Sequence, residues 1–186
     1  GSTTYPYAAS LSWALAAGAD GARTVYVRFK DRAGNVSAAA SDGITLDTGG
    51  PTAPAIALVG NATAQAGYTG TPVVTATLSA TDTNEGAGKA NLQVRVSNDP
   101  GFAGASWQPY TTTLPWVLPI GDGEKTVYAQ FRDAVGNASL AVSAAITLAE
   151  TPPSAGTIAL AGGAPATNQQ TVTATLGATG ATRMQL

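Results

Sequence analysis

Residues 121–139 (GDGEKTVYAQFRDAVGNAS) constrain this chain more than any other stretch, because they occur twice. Residues 21–37 (GARTVYVRFKDRAGNVS) align with residues 123–139 at an offset of 102, and nine of the seventeen positions are identical. Among the identical pairs are Tyr26/Tyr128, Phe29/Phe131, Asp31/Asp133, Gly34/Gly136 and Asn35/Asn137. Each copy has a strand with period-two alternation, then an Asp-x-x-Gly-Asn turn, then the start of a second strand. That order predicts a β-hairpin whose turn residues tolerate the backbone it requires. A repeat of this length holds one domain, so the chain is expected to be an array of similar modules.

The flanks repeat as well. Tyr7/Tyr110, Trp13/Trp116 and Leu15/Leu118 match at an offset of 103, and one residue inserted near Ala19 accounts for the change to 102. Ile44/Ile146 and Leu46/Leu148 close the pattern. Residues 47–54 (DTGGPTAP) and 149–154 (AETPPS) follow at equivalent places and have the proline content of stiff linkers. Beyond them, residues 55–58 (AIAL) and 74–81 (VTATLSAT) are echoed by 157–160 (TIAL) and 172–179 (VTATLGAT), and 91–96 (NLQVRV) by 183–186 (RMQL). The expected organisation is therefore half, whole, half. Residues 1–47 form the C-terminal half of a module, 54–148 a complete one, and 155–186 the N-terminal part of a third, with linkers at 48–53 and 149–154. Seven strands are expected in the complete module, at 55–59, 72–80, 91–97, 105–110, 112–118, 125–132 and 139–148.

Charged residues make up 11% of the 186, hydrophobic ones 44%, with 22 Gly and 11 Pro. Many short strands joined by Gly/Pro turns have this profile, so the fold class expected is all-β. Net charge is −2, without a basic cluster, so nucleic acid and anionic membrane surfaces have no electrostatic footing. No apolar run reaches the length of a membrane span. Cys and His are both absent, which disfavours the usual transition-metal sites and His- or Cys-based catalysis. No cofactor is expected.

The residues above resemble a bacterial immunoglobulin-like, fibronectin-III-like repeat found in tandem in very large secreted or cell-surface proteins. The matching segments are Trp116-Val-Leu118, residues 121–139, Ile146-Thr-Leu148 and Pro152-Pro153, with an earlier copy at Trp13-Ala-Leu15, residues 18–37 and residues 44–47. The resemblance implies tandem antiparallel β-sandwiches with a period of about 100 residues. It also implies an extracellular or cell-surface location and a spacer, adhesive or matrix role. Its shared residues (Trp13, Tyr26, Phe29, Asp31, Gly34, Asn35, Trp116, Tyr128, Phe131, Asp133, Gly136, Asn137) are architectural and imply no catalytic site. Asp47 is replaced by Ala149 in the second copy.

Three clusters hold candidate chemistry. Asp31/Asn35 and Asp133/Asn137 offer the carboxylate and amide oxygens that calcium takes, but the same residues make an Asx-type turn, the preferred reading. Asp82, with Asn84, Glu85 and Asp47, is a second calcium candidate at a module junction. The third module has residues 179–182 (TGAT) there, without an acid, so a solvated loop is preferred. Trp107, Tyr110, Trp116, Tyr5, Tyr7 and Trp13 offer flat faces for carbohydrate stacking. Core and strand-edge packing is the preferred reading for Trp13 and Trp116, which leaves Trp107, whose place in the first copy is taken by Thr4, as the candidate. Carboxylate pairs such as Asp122/Glu124 sit in turns near water, and no enzyme is expected.

The function expected is thus a structural repeat segment of an extracellular stalk, matrix protein or filament. The alternatives are an adhesin module binding carbohydrate and an enzyme accessory domain. The two ends are nearly complementary halves, lacking only the equivalents of residues 95–103. Either a longer chain continues through that gap, or copies complete one another head to tail.

Overall fold

The computed structural model describes residues 3–61, 64–82 and 91–185. Among the described residues the regular elements are strands apart from one 3-10 turn at Ala161–Gly163. The strands are β1 (Gly21–Val27), β2 (Ala40–Leu46), β3 (Thr52–Val59), β4 (Tyr68–Thr69), β5 (Val73–Thr81), β6 (Gln93–Ser97), β7 (Gln108–Pro109), β8 (Thr113–Val117), β9 (Gly123–Arg132), β10 (Val142–Leu148), β11 (Ser154–Leu160) and β12 (Ala174–Thr179). They form a five-stranded sheet β4-β10-β9-β6-β7, a three-stranded sheet β3-β5-β8, and two separate hairpins, β1-β2 and β11-β12. All pairs are antiparallel except β4 with β10. The architecture is all-β and compatible with a β-sandwich.

Alternation along β9 puts Val127, Ala129 and Phe131 on one face, fully buried, and leaves Tyr128, Gln130 and Arg132 half-buried on the other. Leu92, Val94 and Val96 do the same from the neighbouring strand. These side chains meet Val74, Leu78 and Ala80 of β5, together with Leu118, Ile146 and Leu148, in one hydrophobic core. Burying a side chain such as Phe131 stabilises by about 1.5–3 kcal/mol. Tyr110 links the two sheets: its ring lies 6.0 Å from that of Phe131, and its hydroxyl donates to Leu78 O at 3.1 Å.

The hairpin turn closes as the sequence leads one to expect. Asp133 N donates to Asn137 O (3.1 Å) and Ser139 N to Phe131 O (2.8 Å), while Gly136 takes a φ of 100° that a β-carbon would disfavour. The first copy repeats this with Asp31 N to Asn35 O (3.0 Å), Ser37 N to Phe29 O (2.9 Å) and Gly34 at φ 93°. Registers repeat too. Gly123↔Leu148 through Val127↔Ala144 in β9-β10 correspond to Gly21↔Leu46 through Val25↔Asp42 in β1-β2. Likewise β3-β5 and β11-β12 share one register and a bulge at the same place, between Thr52/Ala55 and between Ser154/Thr157. Each bulge holds an alanine at positive φ, Ala53 (49°) and Ala155 (54°), a conformation that costs about 1–2 kcal/mol for a residue with a β-carbon.

What differs between the copies is burial. Phe131 is 0% exposed and Phe29 53%; Ile146 is 2% and Ile44 60%; Leu78 is 2% and Leu176 41%. The two outer hairpins have the pairing of the central strands but, among the described residues, no second sheet covers them.

Several sequence expectations need adjustment. β3 begins at Thr52, inside the stretch read as linker, because the strand resumes across the bulge. The strand expected at 105–110 shrinks to β7. The chain before it coils through turns Phe102 N to Asp99 O and Ala105 N to Phe102 O, both 3.0 Å. β10 starts at Val142 rather than residue 139, after Ser139 has been used to close the turn. β4 was not expected at all. Residues 3–20 have no strand, although their counterparts include β7 and β8. A strand needs a partner ladder, and among the described residues no strand pairs with residues 3–20.

Candidate functional site

The Asp-x-x-Gly-Asn turn is the best-defined polar cluster. Asp133 Oδ1 accepts from the backbone N–H groups of Val135 (3.0 Å), Gly136 (2.7 Å) and Asn137 (2.8 Å), and Oδ2 accepts from Asn137 Nδ2 (2.8 Å). The Asp133 residue is almost fully buried. In the first copy Asp31 accepts from Asn35 N and Asn35 Nδ2, each at 2.8 Å. Both carboxylates are thus spent on the turn's own donors, a constellation that builds a rigid loop rather than a set of outward-facing oxygens. Asp82 follows β5, and its proposed companions Asn84 and Glu85 lie outside the described residues. Among the described residues, no three His, Cys, Asp or Glu side chains converge on one point.

Trp107 lies in an aromatic–cation ladder across the outer face of the five-stranded sheet. The Arg95 guanidinium sits 4.5 Å from the Phe102 ring centroid and 4.8 Å from that of Trp107, and Arg132 sits 4.6 Å from Trp107. Register explains the assembly: Gln93 opposes Arg132 and Arg95 opposes Gln130, so amide and guanidinium alternate across β6 and β9. Arg95 Nε and Nη2 donate to Gln130 Oε1 (3.0 and 2.6 Å), and Arg132 Nε donates to Gln93 Oε1 (2.6 Å). Cation–π contacts of this kind contribute about 0.5–1 kcal/mol each near a surface. They engage the ring that sequence reasoning offered as a stacking platform. Of the other aromatics, Trp116 packs on the core and donates Nε1–H to Asn98 Oδ1 (2.8 Å). Trp13 remains half-exposed, edge-on to Tyr5 at 6.3 Å. Tyr128 is half-buried on the outer face, and Tyr26, its counterpart, is exposed.

Two acids, Asp122, read from the sequence only as a turn residue near water, and its counterpart Asp20, prove well placed. Asp20 holds the segment after β2, with Thr48 Oγ1 donating to Oδ1 (2.8 Å) and Gly49 N to Oδ2 (3.1 Å). Asp122, its counterpart, holds the segment after β10, with Glu150 N donating to Oδ1 at 2.7 Å. Their recurrence in a Gly-rich turn at equivalent positions was the only sequence signal. Hydrogen bonds from Thr48 hold the Asp20 carboxyl below its ordinary value of 3.8, and those from Thr151 and Glu150 do the same for Asp122. Asp31 is lowered by Asn35 in the same way. The charged forms are favoured in the folded chain, so these contacts are at full strength above the ordinary carboxylate range and fade as pH falls through the lowered values. Carboxyl carbon chemical shifts followed through a pH titration should show Asp20, Asp31 and Asp122 titrating below 3.8. Midpoints at or above that value would show that these bonds are absent in solution.

In comparison with known proteins, no family model and no curated protein sequence matches the chain. No helix among the described residues is long and apolar enough to cross a membrane.

Proposed function

We infer that this chain is a segment of a tandem immunoglobulin-like array that acts as a rigid spacer in an extracellular bacterial stalk, matrix protein or filament. The observation that carries this reading is the shared pairing register of β1-β2 with β9-β10 and of β11-β12 with β3-β5, at unequal burial. Two incomplete modules flank a whole one, and each exposes the apolar face that the whole one covers. The three-stranded sheet β3-β5-β8 opposite β10-β9-β6-β7 supports the fibronectin-III-like arrangement that the resemblance implies. The candidate polar residues serve turns, ladders and junctions, so the work assigned to the chain is mechanical, with cores in series resisting extension.

A concatemer of this chain stretched in a single-molecule force experiment should give repeated, discrete unfolding events. Each module like residues 54–148, 95 residues by count, releases roughly 310–340 Å of chain. A smooth force–extension curve without discrete events would rule out the spacer role.

A further inference from the structure

The segment between the first hairpin and β3 is held on two sides. From the preceding hairpin, Asp20 accepts from Thr48 Oγ1 and Gly49 N. From the following module, Asn137 Nδ2 donates to Asp47 O at 3.2 Å while also donating to Asp133 Oδ2. An amide nitrogen has two hydrogens, so one closes the turn and the other reaches the linker. Packing adds to this. A β-carbon on Gly50 would meet Ala138 O at 2.7 Å and Ala138 C at 2.8 Å, so the linker backbone lies directly on the peptide that follows Asn137. Pro51, next in line, is buried.

We propose that the Asp-x-x-Gly-Asn turn is a docking surface for the linker of the preceding module, and that this contact sets a fixed angle between consecutive modules. The inference rests on the tandem reading above and names the partner of its most repeated motif. That partner is a short Gly/Pro linker presenting a backbone carbonyl to the turn's asparagine and a residue without a β-carbon to the peptide behind it. The turn at 31–35 shares the bonds from Asn35 N and Asn35 Nδ2 to the Asp31 carboxylate, and on this proposal is the surface on which an equivalent linker from another repeat docks. Domain pairs move relative to each other by default unless their interface is large, so a small clamp placed on the hinge itself is an economical way to stop that motion.

The chain has no cysteine, which makes the test direct. Ser41 and Ser143 are exposed and occupy equivalent positions in consecutive modules. Spin labels on Ser41→Cys and Ser143→Cys, diluted with unlabelled chain, report the distance between modules within one molecule by pulsed electron resonance. The expected result is a narrow distribution that broadens at least about two-fold in Asn137→Ala and in Gly50→Val, as released modules reorient. Asn35→Ala makes the same change at a turn that holds no linker in this chain, and should leave the distribution narrow. A broad distribution in the parent chain, an unchanged one in both junction variants, or equal broadening in Asn35→Ala would overturn the proposal. Because the measurement is intramolecular, it is independent of whether copies associate or resist force, so the clamp and the spacer reading stand or fall separately.

Discussion

Replacing Phe131 by Ala is expected to destabilise the central module by about 3–5 kcal/mol, a shift visible in the midpoint of urea denaturation. Phe131 is fully buried, lies beside Tyr110, and belongs to the cluster formed by both sheets. Its removal both forfeits apolar burial and leaves a cavity that flanking strands, fixed by ladders on either side, cannot readily close. Phe29 is the same residue in the same motif, but it is half-exposed and touches Tyr7 edge-on at 6.2 Å. Phe29→Ala in dilute monomer should therefore shift stability by less than about 1 kcal/mol. Equal effects from the two substitutions, or an unchanged midpoint for Phe131→Ala, would contradict the facing assigned to β9.

The hairpin itself was legible from the sequence, since period-two alternation and turn chemistry are local properties. Val127, Ala129 and Phe131 face inward as the pattern indicates, and Asp133, Gly136 and Asn137 make the turn. What local pattern could not show depends on residues brought together from afar. The ladder around Trp107 exists because the β6–β9 register sets Arg132 beside Gln93 and Arg95 beside Gln130. β4 is two residues long, too short for alternation to show, and is defined by its pairing with Thr147 and Leu148. Ala53 and Ala155 adopt a backbone that alanine rarely takes, so composition pointed away from the bulges they occupy. Asp122 had the look of a solvated turn acid, and only the path of the linker reveals what it and its counterpart Asp20 hold.

The second large effect concerns the ends. β1-β2 exposes Ile44, and the segment after β1 exposes Phe29, while β11-β12 exposes Ile158, Leu160 and Leu176. In the central module the counterparts of these two hairpins lie in opposite sheets and share one core. An isolated two-stranded sheet is marginal in water, so each hairpin gains most of its stability only when the other type covers it. On the proposed tandem reading, joining the β11-β12 face of one copy to the β1-β2 face of the next would bring together the counterparts of Leu78, Ala80, Val127, Ala129, Ile146 and Leu148. Such a contact would be heterologous and would not close on itself, so on that reading copies should add head to tail into open chains. Leu176→Asp places a charge at the position equivalent to buried Leu78 and should abolish this addition while leaving the central module folded.

Sedimentation velocity over a concentration series reaching about 100 μM, a range that detects even micromolar association, tests this most directly. The chain should move from the 18.4 kDa monomer to progressively larger species as concentration rises, without a fixed end point, and Leu176→Asp should remain monomeric throughout. A single 18.4 kDa species at every concentration, with both terminal hairpins folded, would contradict the account of complementary half-modules.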